Sequence, residues 1–188
     1  MFQHTDVSSE PEIQSAVERA VKEYGRLDTM FNNAGLVGAL GPIEAVSAED
    51  WDRTIAVLLR SVFLGIKYAV ERDAQAGGGS IISTSSVASF LPSAYGAAYA
   101  AAKGAVINLD SRGRSLAWLR QNSGKLHLSW RHNTPICGAF PGFSDSAAVA
   151  QLLDYAQTIP RSGRPEDIAS MVLFLGSDES EWVRPGRR

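Results

Sequence analysis

Tyr99 and Lys103 stand four residues apart in SAYGAAYAAAKGAV, residues 93 to 106, whose other members are mostly alanine and glycine. Side chains at positions i and i+4 share one face of a helix, so both can point at one ligand. A free phenol has a pKa of about 10 and exchanges protons poorly at neutral pH, but a nearby ammonium favours the phenolate and lowers that pKa. The pair therefore predicts a proton-exchanging site, although Tyr-x-x-x-Lys alone also occurs on many ordinary exposed helices.

Three neighbouring segments strengthen this interpretation. Ser85 and Ser86 follow a buried strand, at the end of the strand where ligands bind in open α/β sheets. Ser86 precedes Tyr99 by enough chain for a loop to bring the two hydroxyls together. Asn32 to Gly35 end the preceding strand with small residues that permit close backbone approach, and Pro141-Gly142 follow another candidate strand. Together they predict a site at one edge of a sheet.

The elements that would position these residues alternate between strands and helices. Ser9, with Glu12 reaching back, and Ser47, with Asp50 three residues later, are predicted to cap two helices, and Gly25 is predicted to end the first. The alternation predicts an α/β fold, with a parallel sheet covered by helices on both faces. Helices are predicted over residues 9–24, 47–71, 97–109 and 164–180, and strands over 27–35 and 80–84.

Two segments have special features. From Ile55 onward the second helix is apolar nearly all round, which predicts cover on more than one side. Residues 110–140 depart from the rhythm, because their helical periodicity is weak and Gly113 would cost about 1 kcal/mol inside a helix. We therefore expect the third helix to end near Leu109, a strand-like alternation at 126–130, and one partial dinucleotide-binding and catalytic domain over 1–188.

Composition excludes several classes of function. The 188 residues carry a formal net charge of −2, which does not predict a nucleic-acid partner. No apolar leader opens the chain and no apolar run is long enough to cross a bilayer, so no membrane association is predicted. The single Cys137 allows no intramolecular disulfide and favours a cytoplasmic location. The three histidines lack partners at metal-ligand spacing, so no metal site is expected.

The ordered set Asn33-Ala34-Gly35, Ser86, Tyr99 and Lys103 resembles the short-chain dehydrogenase/reductase family over residues 1–109 and 141–183. The resemblance implies a Rossmann-type, doubly wound parallel sheet, NAD or NADP as cofactor, and interconversion of alcohols and ketones. It implies that Tyr99 is the catalytic acid/base and that Ser86 holds the substrate oxygen. Lys103 would bind the nicotinamide ribose and lower the pKa of the tyrosine.

The same resemblance assigns further residues to the cofactor. In order along the chain these are the adenine-contacting pair Asp6-Val7, the strand end Asn33, Ala34 and Gly35 beside the adenine ribose, Pro141 and Gly142 beside the nicotinamide, and Ser146 at its carboxamide. The run from Arg161 to Asp167 resembles the opening of the family's penultimate helix.

Several of these residues have ordinary structural alternatives. Asp6 could belong to a turn before the first helix, and Ser85 could satisfy backbone groups at a strand end. Asn33 could be a buried amide that ties neighbouring strands together. Ser146 could simply face solvent.

The sequence also departs from the family pattern. It contains no glycine-rich phosphate-binding loop, which we expect before residue 1 together with two βα units. Leu58 occupies a position where the family usually carries an asparagine that holds a relay water. The segment between Lys103 and Pro141 is long, and the chain stops at WVRPGRR, where relatives continue. We therefore expect an amino-terminally truncated member, a fragment or a translation with frame errors.

These observations predict an oxidoreductase that transfers hydride between NAD(P)(H) and a secondary alcohol or ketone. An inactive fragment or non-catalytic remnant is the alternative, and a binding module is disfavoured because all three catalytic positions remain filled. The long apolar helix and the Tyr-Lys helix predict a homo-oligomer if the protein is complete. An apolar or ring-shaped substrate is predicted from the candidate pocket residues Val87, Phe90, Leu91, Tyr95 and Phe143.

Overall fold

The computed structural model describes residues 1–76, 79–90, 96–117, 123–129, 161 and 163–180. A π-helical turn at Ala56–Arg60 joins the second and third helices, and a 3₁₀ turn at Val87–Ser89 follows the second strand. In chain order the principal elements are α1 (Glu10–Tyr24), β1 (Thr29–Asn32), α2 (Ala48–Ile55), α3 (Ser61–Ala76), β2 (Ser80–Ser86), α4 (Ala97–Ala117), β3 (Ser123–Ser129) and α5 (Pro165–Gly176).

The three strands form one sheet in the order β1-β2-β3, and both pairings are parallel. Phe31 lies opposite Ile82 in β2, and Ile82 lies opposite Lys125 in β3. Ile82 is fully buried, as expected for the middle of a sheet with helices on both sides. The predicted parallel α/β sheet is confirmed, and β3 overlaps the strand-like alternation at 126–130.

Helices cover both faces of this sheet. On one face, the Ser80 hydroxyl donates to the Leu175 carbonyl of α5 at 3.0 Å. On the other face, the Ser85 hydroxyl donates to the Lys103 carbonyl of α4 at 2.7 Å. Successive side chains of a strand point to opposite faces, and positions 80 and 85 differ by an odd number. α4 and α5 therefore lie on opposite sides of β2, which confirms the doubly wound arrangement.

Two of the helix ends predicted from local sequence signals are confirmed, and the prediction for a third is not. Ser47 caps α2, since its hydroxyl accepts from the Asp50 amide at 3.0 Å, and Gly25 ends α1 at φ 81°. The predicted reciprocal cap at Ser9 is wrong. The Ser9 amide already donates to the Asp6 carbonyl at 3.0 Å, and the Glu12 carboxylate accepts from the Asp6 amide at 2.8 Å instead.

The α4 helix runs farther than its sequence predicts. It continues through Gly113 to Ala117, so the predicted end near Leu109 is wrong. α4 packs against both β2 and β3, and Ala98, Ala102 and Val106 are fully buried there. The helix accommodates Gly113 in spite of its cost, which is about 1 kcal/mol.

The apolar α2–α3 segment is covered on more than one side, as predicted. Leu58 and Leu64 are fully buried. Gly65 lies tightly against the Asn32 side chain of β1, while Glu10 of α1 accepts a hydrogen bond from Lys67 on another flank at 2.8 Å. None of the helices in the described ranges is long and apolar enough to cross a membrane.

Candidate active site

Lys103 reaches from α4 to the carboxyl end of β2. Its ammonium donates to the Thr84 carbonyl at 2.8 Å and lies 5.9 Å from the centre of the Tyr99 ring. Lys103 is only 5% exposed, whereas Tyr99 is half-buried. The predicted pair therefore shares one face of α4, directed at the end of the central strand.

Burial sets the electrostatics of this lysine. Loss of hydration disfavours the charged form and lowers the pKa of Lys103 from 10.5 to about 8. Within the described residues its ammonium makes one hydrogen bond, to Thr84, although an ammonium has three donors. A buried cation with donors to spare fits the hydroxyl groups of a ribose, so the chain's residues are compatible with a dinucleotide here.

Ser86 is the last residue of β2, one residue beyond the pair of bonds between β2 and Lys103. Its hydroxyl oxygen accepts from the Ala88 amide at 3.2 Å and so starts the 3₁₀ turn. An oxygen that accepts a hydrogen bond keeps its own proton, so Ser86 remains able to donate to a ligand oxygen. The half-buried side chain is partly accessible for such a contact.

Ser85 is fully buried and joins three segments. Its hydroxyl donates to the Lys103 carbonyl at 2.7 Å and lies 3.0 Å from the Ser89 hydroxyl. The expectation that Ser85 could satisfy a backbone group is confirmed. The identity of that backbone group, the carbonyl of Lys103 itself, carries no signal in the sequence.

The end of β1 is open to ligands. Asn33, Ala34 and Gly35 are all exposed, so the predicted burial of Asn33 is wrong. Its carboxamide nevertheless ties the strands together, because it accepts from the Thr84 hydroxyl at 3.0 Å. A more buried interstrand bond is made one residue earlier, where the side-chain carboxamide of Asn32 donates to the Ser83 hydroxyl at 3.3 Å.

Leu58 lies directly beneath this strand end. It is fully buried in the π-helical turn, and a methyl group added at Gly35 would lie 3.5 Å from it. An apolar side chain there can neither donate nor accept a hydrogen bond. The asparagine usual at this position, which would hold a relay water, is thus replaced here by a packed apolar side chain.

A cavity of about 360 Å³ lies between α2 and the loop that follows β1. Gly38 shapes this loop with φ +76°, and the Thr54 hydroxyl accepts from the Ala39 amide at 2.9 Å. The loop is thus pinned to α2 beside the open strand end. No cluster of three or more possible metal-ligating side chains occurs within the described ranges.

The remaining predicted residues are placed less centrally. The exposed Asp6 carboxylate accepts from the amide and hydroxyl of Ser8 at 2.8 and 2.7 Å, which lowers the pKa of Asp6 and forms the turn before α1. Val7 beside it is half-buried. In the 3₁₀ turn Val87 is half-buried and Phe90 is 66% exposed. Pro141, Gly142, Ser146, Leu91, Tyr95 and Phe143 lie outside the described residues.

Comparison with known proteins agrees with this architecture. The sequence profile of the family described as short chain dehydrogenase matches residues 1–116. The chain is 31% identical to cis-4-hydroxycyclohexanecarboxylate dehydrogenase of Sinomonas cyclohexanicum, over 97% of this chain and 72% of that protein. It is 35% identical to cyclohexanol dehydrogenase of Acinetobacter sp. (strain SE19), over 94% of this chain and 67% of that protein.

Solved structures give the same fold. The crystal structure of levodione reductase aligns with a TM-score of 0.84 at 27% identity, over 96% of this chain and 71% of that chain. Both this structural match and the two enzyme relatives extend well beyond the residues matched by the family profile. The Rossmann-type α/β fold expected from the sequence is therefore confirmed.

Proposed function

The chain belongs to the short-chain dehydrogenase/reductase family, and on that premise we propose that it interconverts a secondary alcohol and its ketone by a Tyr-Lys-Ser mechanism. The family's nicotinamide cofactor, NAD or NADP, supplies the redox chemistry by exchanging hydride with the carbinol carbon when it is bound. The observation that carries the proposal is the Lys103 ammonium, which is anchored at the end of β2 and faces the Tyr99 ring at 5.9 Å.

Tyr99 is the proposed acid/base. In alcohol oxidation its phenolate takes the proton of the substrate hydroxyl, while the C–H bond of the same carbon is broken. In ketone reduction the phenol returns that proton to the oxygen. In this mechanism the cationic Lys103 nearby would stabilise the phenolate by its charge.

Ser86 is the proposed anchor for the substrate oxygen. Because its oxygen accepts from the Ala88 amide, its proton is directed elsewhere and can be donated to the carbonyl or alkoxide oxygen. That donation strengthens as negative charge develops on the substrate oxygen. Ser86 would therefore both orient the substrate and stabilise the transition state.

Lys103 is proposed to serve the cofactor as well as the phenol. Its hydrogen bond to Thr84 fixes one donor and leaves others for the ribose hydroxyls. Exposed Asn33, Ala34 and Gly35 would lie along the same cofactor, with Asp6 and Val7 beside its adenine and Pro141, Gly142 and Ser146 beside its nicotinamide.

The proposed substrate is an apolar, ring-shaped secondary alcohol or ketone. Two relatives, cyclohexanol dehydrogenase and cyclopentanol dehydrogenase, are named for alicyclic alcohols. The exposed Phe90 and half-buried Val87 beside Ser86 would offer apolar surface to such a ring. Pairing between copies through α3 is also proposed, because Phe63 on that helix is 48% exposed.

The test uses the Tyr99→Phe variant with cyclohexanol and each dinucleotide in turn. Wild-type chain should produce reduced nicotinamide, and Tyr99→Phe should lose at least about a hundredfold in kcat while dinucleotide affinity is retained. Tyr68→Phe is the matched control, because the Tyr68 hydroxyl bonds Glu10 at 3.0 Å, away from the site. Dinucleotide binding without turnover in wild type would favour the alternative of a non-catalytic remnant.

A further inference from the structure

Two hydrogen bonds run in opposite directions between Lys103 and the end of β2. The Lys103 ammonium donates to the Thr84 carbonyl at 2.8 Å, and the Lys103 carbonyl accepts from the Ser85 hydroxyl at 2.7 Å. The consecutive strand residues Thr84 and Ser85 thus bind the ammonium and the backbone carbonyl of the same lysine. This double attachment constrains the side chain far more than either bond alone.

The hydroxyl of Ser85 has a second partner that extends this attachment. Because its single proton is given to the Lys103 carbonyl, the Ser89 hydroxyl must be the donor in the 3.0 Å contact between the two serines. Ser89 closes the 3₁₀ turn that Ser86 opens. One buried hydroxyl therefore links β2, the turn after it and α4.

We propose that Ser85 is a positioning residue, which fixes α4 and its Tyr99–Lys103 pair against the end of β2. This inference rests on the proposed function, because it concerns how the reacting groups of that function are held. Ser85 is 1% exposed, so a ligand cannot reach its hydroxyl directly. Its effect is transmitted through the Lys103 backbone.

The position of α4 matters because the reaction tolerates little displacement of the reacting groups. Misplacing a reacting group by about 1 Å can cost up to about a hundredfold in rate. Without the Ser85 bond the Lys103 backbone loses its hydrogen bond to β2, so this part of α4 can move away from the strand. Water would then reach the ammonium, whose low pKa is caused by burial.

Ser83→Ala provides a matched control for Ser85→Ala. Ser83 lies two residues earlier on the same face of β2 and is fully buried. Its hydroxyl accepts from the side-chain carboxamide of Asn32 on β1 instead of bonding α4. The two variants therefore delete the same atom from equivalent burial and differ in which element loses its partner.

The first measurement is an NMR titration of chain labelled with ¹³C at the lysine ε-carbons, with the Lys103 resonance assigned by its loss in Lys103→Met. We expect the pKa of Lys103 to rise by about one unit in Ser85→Ala and by less than about 0.3 in Ser83→Ala. Equal shifts in the two variants, or none in Ser85→Ala, would overturn the positioning role. This titration needs no turnover.

The second measurement is steady-state kinetics of the same variants. Ser85→Ala should lower kcat for alcohol oxidation about tenfold with little change in KM. Because a displaced and hydrated ammonium stabilises the phenolate less, the rising limb of the kcat–pH profile should move to higher pH. Ser83→Ala should leave that limb in place. An inactive wild type would contradict the proposed function alone, since the lysine titration still decides the role of Ser85.

Discussion

Replacing the buried lysine should make the protein more stable while it destroys activity. The pKa of Lys103 is lowered from 10.5 to about 8 by burial, and each pKa unit corresponds to about 1.4 kcal/mol, so the buried charge costs about 3 kcal/mol at pH 7. Lys103→Met keeps the apolar stem and loses one hydrogen bond from a charged donor to Thr84, worth about 2 kcal/mol. We expect a net gain of about 1 kcal/mol in the free energy of unfolding at pH 7.

The dependence of this gain on pH is the sharper part of the prediction. Below pH 8 the lysine is charged in both the folded and the unfolded chain, so the full cost of burial acts. Between about 8 and 10.5 the folded lysine is neutral while the unfolded lysine still binds its proton, so the parent gains stability as pH rises. The advantage of Lys103→Met should therefore disappear by about pH 10.

Urea unfolding at pH 7 and pH 10, without dinucleotide, measures both quantities. Lys67→Met is the control, because the Lys67 side chain is 44% exposed and its pKa is raised by the hydrogen bond to the Glu10 carboxylate, so its removal should give no gain at pH 7. A Lys103→Met variant that is less stable than the parent by the same amount at both pH values would refute the account of a costly buried charge.

Two further predictions concern the scaffold. Glu10 accepts a hydrogen bond from Lys67 at 2.8 Å, and this bond lowers the pKa of Glu10. Glu10→Gln should therefore lower Tm at neutral pH, and the difference in Tm should vanish once acid protonates Glu10 in the parent. A difference in Tm that persists in acid would contradict this prediction. Gly25→Ala introduces only backbone strain at φ +81°, which should lower the free energy of unfolding by about 1 kcal/mol. Gly38→Ala adds a clash with the Thr54 side chain and should lower it by at least about 1 kcal/mol more, as measured by denaturant unfolding. Equal losses of stability in the two variants would exclude the clash.

Two of the three helix ends that depend on residues within one helical turn could be predicted from the sequence. Ser47 and Gly25 mark helix ends because their partners lie within four residues. α4 runs past its predicted end to Ala117, because a single glycine lowers helix propensity by only about 1 kcal/mol and does not by itself end a helix.

The candidate site could be predicted as a set of residues but not as a geometry. The spacing of Tyr99 and Lys103 placed them on one helical face, and the strand end placed Ser86 nearby. The sequence could not show that Lys103 binds the Thr84 carbonyl, because every residue carries the same backbone acceptor. The link through Ser85 spans 18 positions and depends on how α4 lies against β2.

The central claim is that Tyr99 takes the hydroxyl proton of a secondary alcohol while hydride leaves the carbinol carbon for the nicotinamide. The most direct measurement mixes the chain, in excess, with dinucleotide and with cyclohexanol that carries deuterium on the carbinol carbon, and follows the label by mass spectrometry. We predict that deuterium appears on the nicotinamide ring with wild type and Tyr68→Phe, and is absent on the same timescale with Tyr99→Phe. Equal labelling by Tyr99→Phe, or no labelling by a wild-type chain that binds the dinucleotide, would contradict the account.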